Sequence, residues 1–290
     1  MLGVILAGGK GTRMFPFNQI ISKHLLPIYD KPLIYYSIST LMLLGIKRIV
    51  IVVDNLYLKE YSDLLGNGKN LGINIKFICQ DKPRGIVHAL LLCKEQIKKK
   101  NFVLYLGDNI FYGHGLIDTL NKHKKIIKDY SSIFTYKTEF PQNFGVLYKN
   151  KNLEPTKIIE KPKFPKNNEV VTGIYFYNNE VLKLLSKIKY SKRRELEITD
   201  LNNLLLKKKK LKHFELGRGT IWHDCGSISE MMDASNLFYM IEKKNKFKVY
   251  CPEEISLNNK WISKKQLKDN FIKFKNSSYK KYILNLINNK

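Results

Sequence analysis

The chain has 290 residues, with 51 lysines and arginines against 25 aspartates and glutamates, for a formal net charge of +26. That length buries a full core, as one large α/β domain or a domain with an appendage, and excludes a peptide that must borrow a partner to fold. No apolar stretch reaches bilayer-spanning length, Met1 runs into an apolar segment without a charged leader, and Cys79, Cys93, Cys225 and Cys251 lack zinc or disulfide spacing, so a cytoplasmic protein with reduced, packed thiols is expected.

The first element is Gly3-Val4-Ile5-Leu6-Ala7, which passes directly into Gly8-Gly9-Lys10-Gly11-Thr12-Arg13. An unbroken apolar run of this kind predicts a buried parallel strand. Glycines behind it let backbone N–H groups approach a ligand where a Cβ would clash. With Arg13 in the turn and Lys23 beyond it, the turn suits a phosphate; the other reading is a bare strand-to-helix turn that needs glycine. The spacing is neither G-x-x-x-x-G-K-[ST] nor G-x-G-x-x-G, which points away from P-loop ATPases and ordinary dinucleotide binders.

Next, Asp30-Lys31-Pro32 predicts a helix start with proline in the first turn, continuing through Leu33, Ile34, Tyr36, Ile38, Leu41 and Leu44 to a stop at Gly45. Strands are expected at Arg48–Val53, Asn74–Cys79 and Phe102–Leu106, and helices at 57–65 and 86–97. Repeated strand-helix-strand order predicts an α/β, doubly wound, mostly parallel, Rossmann-like sheet. Ligands of such sheets lie outside the carboxyl ends of the strands. Residues 8–13, 80–85 and Gly107-Asp108-Asn109 all follow strands and are expected at one crevice.

The second half is richer in strands, at 133–137, 145–148, 157–160, 171–177 and Thr220–Asp224. Helices are expected at 179–187, from 197 to about 209, and along 227–244, with a basic helical tail from 263. The lysine runs at 98–100 and 207–210 fall at these helix ends, where cations complement the macrodipole and stay solvated. Most of the net charge is therefore background, and no specific nucleic-acid partner is expected; a generic attraction to polyanions is a by-product.

Asp108 follows one buried strand and Asp224 ends another. Mg²⁺ typically takes one or two carboxylates and completes its octahedron with water and substrate phosphates, so two aspartates converging on one crevice fit that need. Capping a helix is the alternative, and at Asp224 it has equal standing, with Gly226 and Ser227 following. Glu160-Lys161-Pro162 offers a carboxylate for sugar hydroxyls and a cation for a phosphate; taken alone, an exposed salt bridge accounts for it better. The segment 195–201 has acids where a helix N-terminus favours them, and Arg193 and Arg194 either reach an anion or pair with Glu195 and Glu197. The six histidines form no metal set and no nucleophile motif occurs. Positive charge, glycine backbone and carboxylates remain, which is the equipment of phosphoryl or nucleotidyl transfer.

Leu6-Ala7-Gly8-Gly9-Lys10-Gly11-Thr12-Arg13 with Ser22-Lys23-His24-Leu25-Leu26-Pro27 resembles the signature of sugar-phosphate nucleotidyltransferases. The strings at 27–36, 106–114, 171–177 and 195–200 narrow the resemblance to glucose-1-phosphate thymidylyltransferases, and it extends to at least Cys251-Pro252-Glu253-Glu254-Ile255. The resemblance implies condensation of dTTP with α-D-glucose 1-phosphate, giving dTDP-glucose and pyrophosphate with Mg²⁺, as the first step toward dTDP-deoxysugars such as dTDP-rhamnose. It implies that Gly8, Gly11, Thr12 and Arg13 hold the triphosphate, that Gln80 and Gly85 contact the thymine, and that Asp108 and Asp224 bind the metal. Asn109, Gly145, Glu160, Lys161, Val171 and Thr172 would surround the glucose, with Lys161 and Arg193 on its phosphate and Arg13 and Lys23 stabilising charge at the α-phosphate. The implied layout is a catalytic domain at 1–244, with a nucleotide-binding half to about 130 and a sugar-binding half beyond it, and a helical appendage at 245–290. Family members are usually homotetramers with a second, inhibitory site, which Gly113, His114, Arg218 and Glu254 resemble in part.

Several positions depart from the family pattern. Phe144 stands where tyrosine is usual, Arg194 where glycine is usual, and His223 and Cys225 flank Asp224 in place of leucine and threonine. Pro83-Arg84-Gly85-Ile86-Val87-His88 lacks the usual aspartate before its glycine and the leucine after it, on the side where the base would bind. Use of UTP or another sugar 1-phosphate is therefore the close alternative, and a non-catalytic polyanion-binding protein retaining the fold is the distant one.

Overall fold

The computed structural model describes residues 1–272 and 277–288. In chain order its strands are β1 (Leu2–Ala7), β2 (Pro27–Ile28), β3 (Lys31–Pro32), β4 (Arg48–Val53), β5 (Asn74–Cys79), β6 (Phe102–Leu106) and β7 (Asn109–Gly113). They continue as β8 (Ser131–Lys137), β9 (Gly145–Lys149), β10 (Pro155–Glu160), β11 (Glu169–Tyr177), β12 (Leu211–Glu215) and β13 (Thr220–Asp224). The helices are α1 (Ile34–Leu43), α2 (Leu58–Leu65), α3 (Ile86–Leu92), α4 (Lys94–Ile97), α5 (Leu116–Ile126) and α6 (Leu182–Leu185). After them come α7 (Ile198–Lys207), α8 (Ile228–Asn245), α9 (Pro252–Asn258), α10 (Lys264–Ile272) and α11 (Ser278–Asn288).

A nine-stranded sheet organises the molecule, in the order β10-β9-β11-β6-β1-β4-β5, with β8 pairing β11 and β12 pairing β8. β6, β1, β4 and β5 run parallel, β12 runs parallel to β8, and β11 and β10 reverse. Alternation along the central strands explains the double winding, since successive side chains of a strand point to opposite faces. Ile5, Ile49, Ile51 and Val53 join α1 and α2 in one core, through Ile34, Ile38, Leu41 and Tyr61. Val4, Val50 and Val52 join α3 and α7 in the other, through Val87, Leu90, Leu201 and Leu205. Both faces of the sheet are covered, as a mostly parallel sheet requires.

Three expected elements differ. Pro32 lies outside α1: Lys31 and Pro32 pair back on Ile28 and Pro27 in a small hairpin turned at Tyr29 (φ 59°), so the helix begins only at Ile34. The helix over 86–97 is two, because Cys93 (ψ 3°) leaves helical geometry while its N–H is shared between the carbonyls of Ala89 and Leu90. The segment 179–187 reduces to a 3₁₀ turn and the single turn α6. Helix α5 and strands β7 and β12 had no counterpart in the expectation. The tail is helical in α10 and α11, and residues 273–276 and 289–290 of that expectation lie outside the described residues. The lysine runs do sit where α4 and α7 end, and all four cysteines are free, with Cys93, Cys225 and Cys251 buried. No helix among the described residues is long and apolar enough to cross a membrane.

Candidate active site

β7 and β13 form a separate antiparallel ribbon whose register places Asn109 opposite Asp224, while Cys225 N–H donates to Asp108 O at 2.8 Å. That pairing brings together two aspartates more than a hundred residues apart. Between their carboxylates lies Asn109, 2 % exposed, whose Nδ2 donates to Asp108 Oδ1 at 2.9 Å and Asp224 Oδ1 at 3.3 Å. Its Oδ1 in turn accepts from Trp222 Nε1 at 2.6 Å. The helix-capping alternative for Asp224 is not what forms: Ser227 caps α8, its hydroxyl accepting from Glu230 N–H.

Lys23 donates to Asp108. Burial alone pulls the lysine pKa down, but the Asp108 charge and hydrogen bond outweigh it and raise it above the ordinary value. Asp108 moves the other way: burial opposes ionisation, yet Lys23 holds its carboxyl down to about 2. Asp224 is pushed up to about 7, first by burial and then by the Asp108 charge beside it. A like-charged buried pair with one member resisting ionisation is the donor set that a divalent cation relieves. Among the described residues no cluster of three or more His, Cys, Asp or Glu could hold a metal, so water and ligand oxygens would complete the shell around these two carboxylates. Arg13 reaches this corner because Gly226 has no side chain; a Cβ there would lie 2.3 Å from the guanidinium.

These groups line one cleft of about 480 Å³ above the carboxyl ends of the central strands. Gly8, Arg13, Lys23, Gln80, Gly85, Asp108 and Asn109 come to it from the first half of the chain, and Gly145, Glu160, Lys161, Val171, Thr172, Arg193 and Asp224 from the second. Gly11 and Thr12 are not among its lining residues; a methyl on Gly11 would stand 3.7 Å from Lys23 Cβ, which places Gly11 beside the lysine stem. Glu160 is not the exposed partner of Lys161 that the residue pattern taken alone favoured. It accepts from Thr199 Oγ1 and lies 3.4 Å from Arg193, which also stands 3.3 Å from Glu195 and 3.5 Å from Glu197. Burial and then the Glu197 charge raise the Glu160 pKa, against the Thr199 hydroxyl, Lys161 and Arg193.

Sequence reasoning missed Trp222 and Thr199. The signal for Trp222 was its place two residues before Asp224, on the same face of β13; Thr199 lay inside a segment explained by its acids alone. Phe144 lines the cleft with its ring 5.0 Å from Trp222. Arg194 carries φ 58°, the left-handed backbone that suits the glycine it replaces. Cys225 packs with Met14, Ile110 and Phe238. Gly113 ends β7, Arg218 lies between β12 and β13, and Glu254 accepts from Tyr282; none of them lines this cleft.

The arrangement gathers cations and glycine backbone, two neighbouring carboxylates, and a polar wall formed by Glu160 and Arg193. Such a set has the charges to meet a polyphosphate and a second anionic substrate. The family described as nucleotidyl transferase matches residues 2–239. A glucose-1-phosphate thymidylyltransferase of Neisseria meningitidis serogroup A is 38 % identical over 287 residues, 99 % of each chain. One from Mycobacterium tuberculosis is 38 % identical over the same length, again 99 % of each. Among solved structures, a Bacillus anthracis protein described as a glucose-1-phosphate thymidylyltransferase and determined with sucrose superposes with TM-score 0.75 at 34 % identity, over 82 % of this chain and 95 % of its own. A UDP-glucose pyrophosphorylase complexed with UDP-glucose gives 0.73 at 26 % identity, over 83 % and 98 %.

Proposed function

The chain belongs to the nucleotidyl transferase family, and on that premise we propose that it transfers the thymidylyl group of dTTP to α-D-glucose 1-phosphate, giving dTDP-glucose and pyrophosphate. What carries the assignment is the convergence of Lys23, Asp108 and Asp224 on one cleft whose far wall holds Glu160, Lys161 and Arg193. Near-full-length relatives named for this reaction support the choice of substrates.

In this mechanism the Gly8 backbone and Arg13 hold the triphosphate, and Glu160, fixed by Thr199, accepts hydrogen bonds from glucose hydroxyls with Gly145, Val171, Thr172 and Asn109 around the ring. Lys161 and Arg193 orient the sugar phosphate, so that its oxygen lies in line with the α-phosphorus. The new P–O bond forms as the α–β bond breaks, and pyrophosphate carries away the bonding electrons without a protein nucleophile. Lys23, kept charged by Asp108, and Arg13 offset the charge that grows on the α-phosphate and leaving group, which is where such reactions gain most of their rate. Asp108 and Asp224 would hold Mg²⁺, which when bound neutralises phosphate charge and favours departure of pyrophosphate. Asn109, buttressed by Trp222, sets the spacing of those two carboxylates.

The same proposal places the catalytic unit at 1–244, a homotetramer in the cytoplasm, and a role at the start of a dTDP-deoxysugar route such as that to dTDP-rhamnose. The test is pyrophosphate release from dTTP, Mg²⁺ and glucose 1-phosphate. Steady release supports it, and none from folded protein overturns it. UTP is the second reading, favoured by the altered loop at 83–88 and by the likeness to the UDP-glucose pyrophosphorylase. Ranking dTTP against UTP by kcat/KM decides between them.

A further inference from the structure

Gln80 closes one end of the cleft. It leaves the end of β5 with its N–H on Val53 O at 2.8 Å, and it is 5 % exposed. Its side chain has one hydrogen bond among the described residues: Nε2 lies 2.7 Å from Nδ1 of His88. On the other side its Oε1 lies toward Gly8, where a Cβ would stand 3.4 Å away.

His88 is held in place by backbone rather than by chance packing. It sits in the first turn of α3, and the start of that helix is pinned to the segment before α7: Leu196 N–H donates to Arg84 O at 2.8 Å and Val87 N–H to Leu196 O at 3.2 Å. Gly85, at φ 98°, lets the two segments touch; a Cβ there would lie 2.5 Å from Leu196 O. Burial and the neighbouring Arg84 lower the His88 pKa, which favours the neutral ring. In the tautomer with its proton on Nε2, a neutral imidazole offers a lone pair at Nδ1, and this is the form that can accept one N–H of the Gln80 amide at 2.7 Å.

We propose that His88 is a positioning residue for base selection, holding the Gln80 amide in the orientation that reads an imide base and refuses a cytosine. With one N–H engaged, the amide keeps its other N–H beside its carbonyl oxygen. That donor and acceptor pair matches the C=O and N3–H of thymine or uracil. Cytosine presents an acceptor at N3 and a donor at its amino group, so the amide would have to turn over. Turning it puts Oε1 against Nδ1, so the imidazole must move its proton from Nε2 to Nδ1 or leave two acceptors facing each other with a buried hydrogen bond lost. The discrimination is therefore built into a residue that does not line the cleft, and it treats dTTP and UTP alike.

This inference rests on the cleft being a nucleoside-triphosphate site, and the two can fail separately. The experiment measures pyrophosphate release by the full chain with Mg²⁺, glucose 1-phosphate and each of dTTP, UTP and CTP, for the unaltered protein, His88→Leu and His88→Asn. In His88→Leu the ratio of kcat/KM for CTP to that for dTTP is expected to rise about tenfold, the order of one hydrogen bond. The change should lie in the nucleotide KM, with the glucose 1-phosphate KM and the dTTP to UTP ratio unmoved. His88→Asn, whose Oδ1 can accept where Nδ1 did, should restore the original ratio. If His88→Leu does not fold, His88→Phe keeps the bulk of the ring without the acceptor and carries the same expectation. A base ratio unchanged in a folded Leu or Phe variant overturns the role of His88 and leaves the nucleotidyl transfer standing. No turnover of any nucleotide by the unaltered protein overturns both.

Discussion

The seam under the C-terminal helices and the cleft both bury lysines against carboxylates, and only the seam is balanced. At the seam between the β2–β3 hairpin, α8 and the C-terminal helices, Lys31 lies 2.6 Å from Asp30 and 3.2 Å from Glu242, while Lys248 pairs with Asp30 and lies 3.1 Å from Glu242. Two cations meet two anions, Glu242 Oε1 also accepts Val249 N–H, and Lys248 lies over the rings of Tyr29, Tyr279 and Tyr282. In the cleft Lys23 pairs with Asp108, but among the described residues no cation lies within ion-pair distance of Asp224. The seam uses charge to lock two parts of the chain together. The cleft leaves one carboxylate in excess, in a place where a cation and phosphates would restore the balance, and this is the mark of a site rather than a strut.

The largest effect should come from the cleft. Lys23→Met removes the cation bonded to Asp108, and pyrophosphate release should fall by about 10²–10³ in kcat, as when a charge-stabilising donor is lost. A drop of less than tenfold would put the lysine outside the reaction. At the seam, Glu242→Gln leaves two buried lysines facing one acid and should cost about 3 kcal/mol in urea unfolding, with kcat and KM preserved. If turnover fell as far as stability, the seam would have to be counted with the site.

Asp224→Asn tests the imbalance itself. The Asp224 carboxyl is harder to ionise in the folded chain, up to about 7, than its ordinary value of 3.8, so between those values the folded state binds the extra proton. Its contribution to stability is present in acid and is lost as pH rises through that window. With divalent ions chelated, the Asn variant should be more stable than the parent at pH 8, on the order of 2 kcal/mol by urea unfolding, and equal to it near pH 4. The same variant should bind Mn²⁺ weakly. A variant that is less stable at pH 8 would mean that the carboxylate is compensated after all. The smallest effect is expected at Phe144, where Phe144→Tyr adds a hydroxyl to the wall beside Trp222 and should lower the KM for glucose 1-phosphate about fivefold, the order of one hydrogen bond. An unchanged KM would limit position 144 to packing.

Much of this was legible because it is local. Strands β1 and β6 and all but the first residue of β4 are apolar runs, β5 is interrupted by Lys76, and alternate residues of the central strands divide between the two cores. The glycine turn, Asp108 and Gln80 could be placed at the crevice from strand order alone, since βαβ connections send every strand's carboxyl end to the same side. Pro32 and Cys93 escaped for a physical reason. Pro32 is compatible with a helix start, but Lys31 must turn back to meet Asp30 and Glu242, and the second of these partners lies more than two hundred residues away. Nothing near Cys93 breaks helices by propensity.

The amino-acid sequence by itself determined the doubly wound sheet, the cationic glycine turn and the kind of chemistry the chain can perform, because periodicity, glycine placement and residue type act over a few neighbours. Only the tertiary structure decided that Ser227 rather than Asp224 caps α8, that Glu160 meets Thr199 and Arg193, and that Asn109 joins two carboxylates under Trp222. Those outcomes depend on the register of β7 against β13 and on the burial it creates. A carboxylate becomes a site through charges and distances set by residues far along the chain, which its immediate neighbours do not encode.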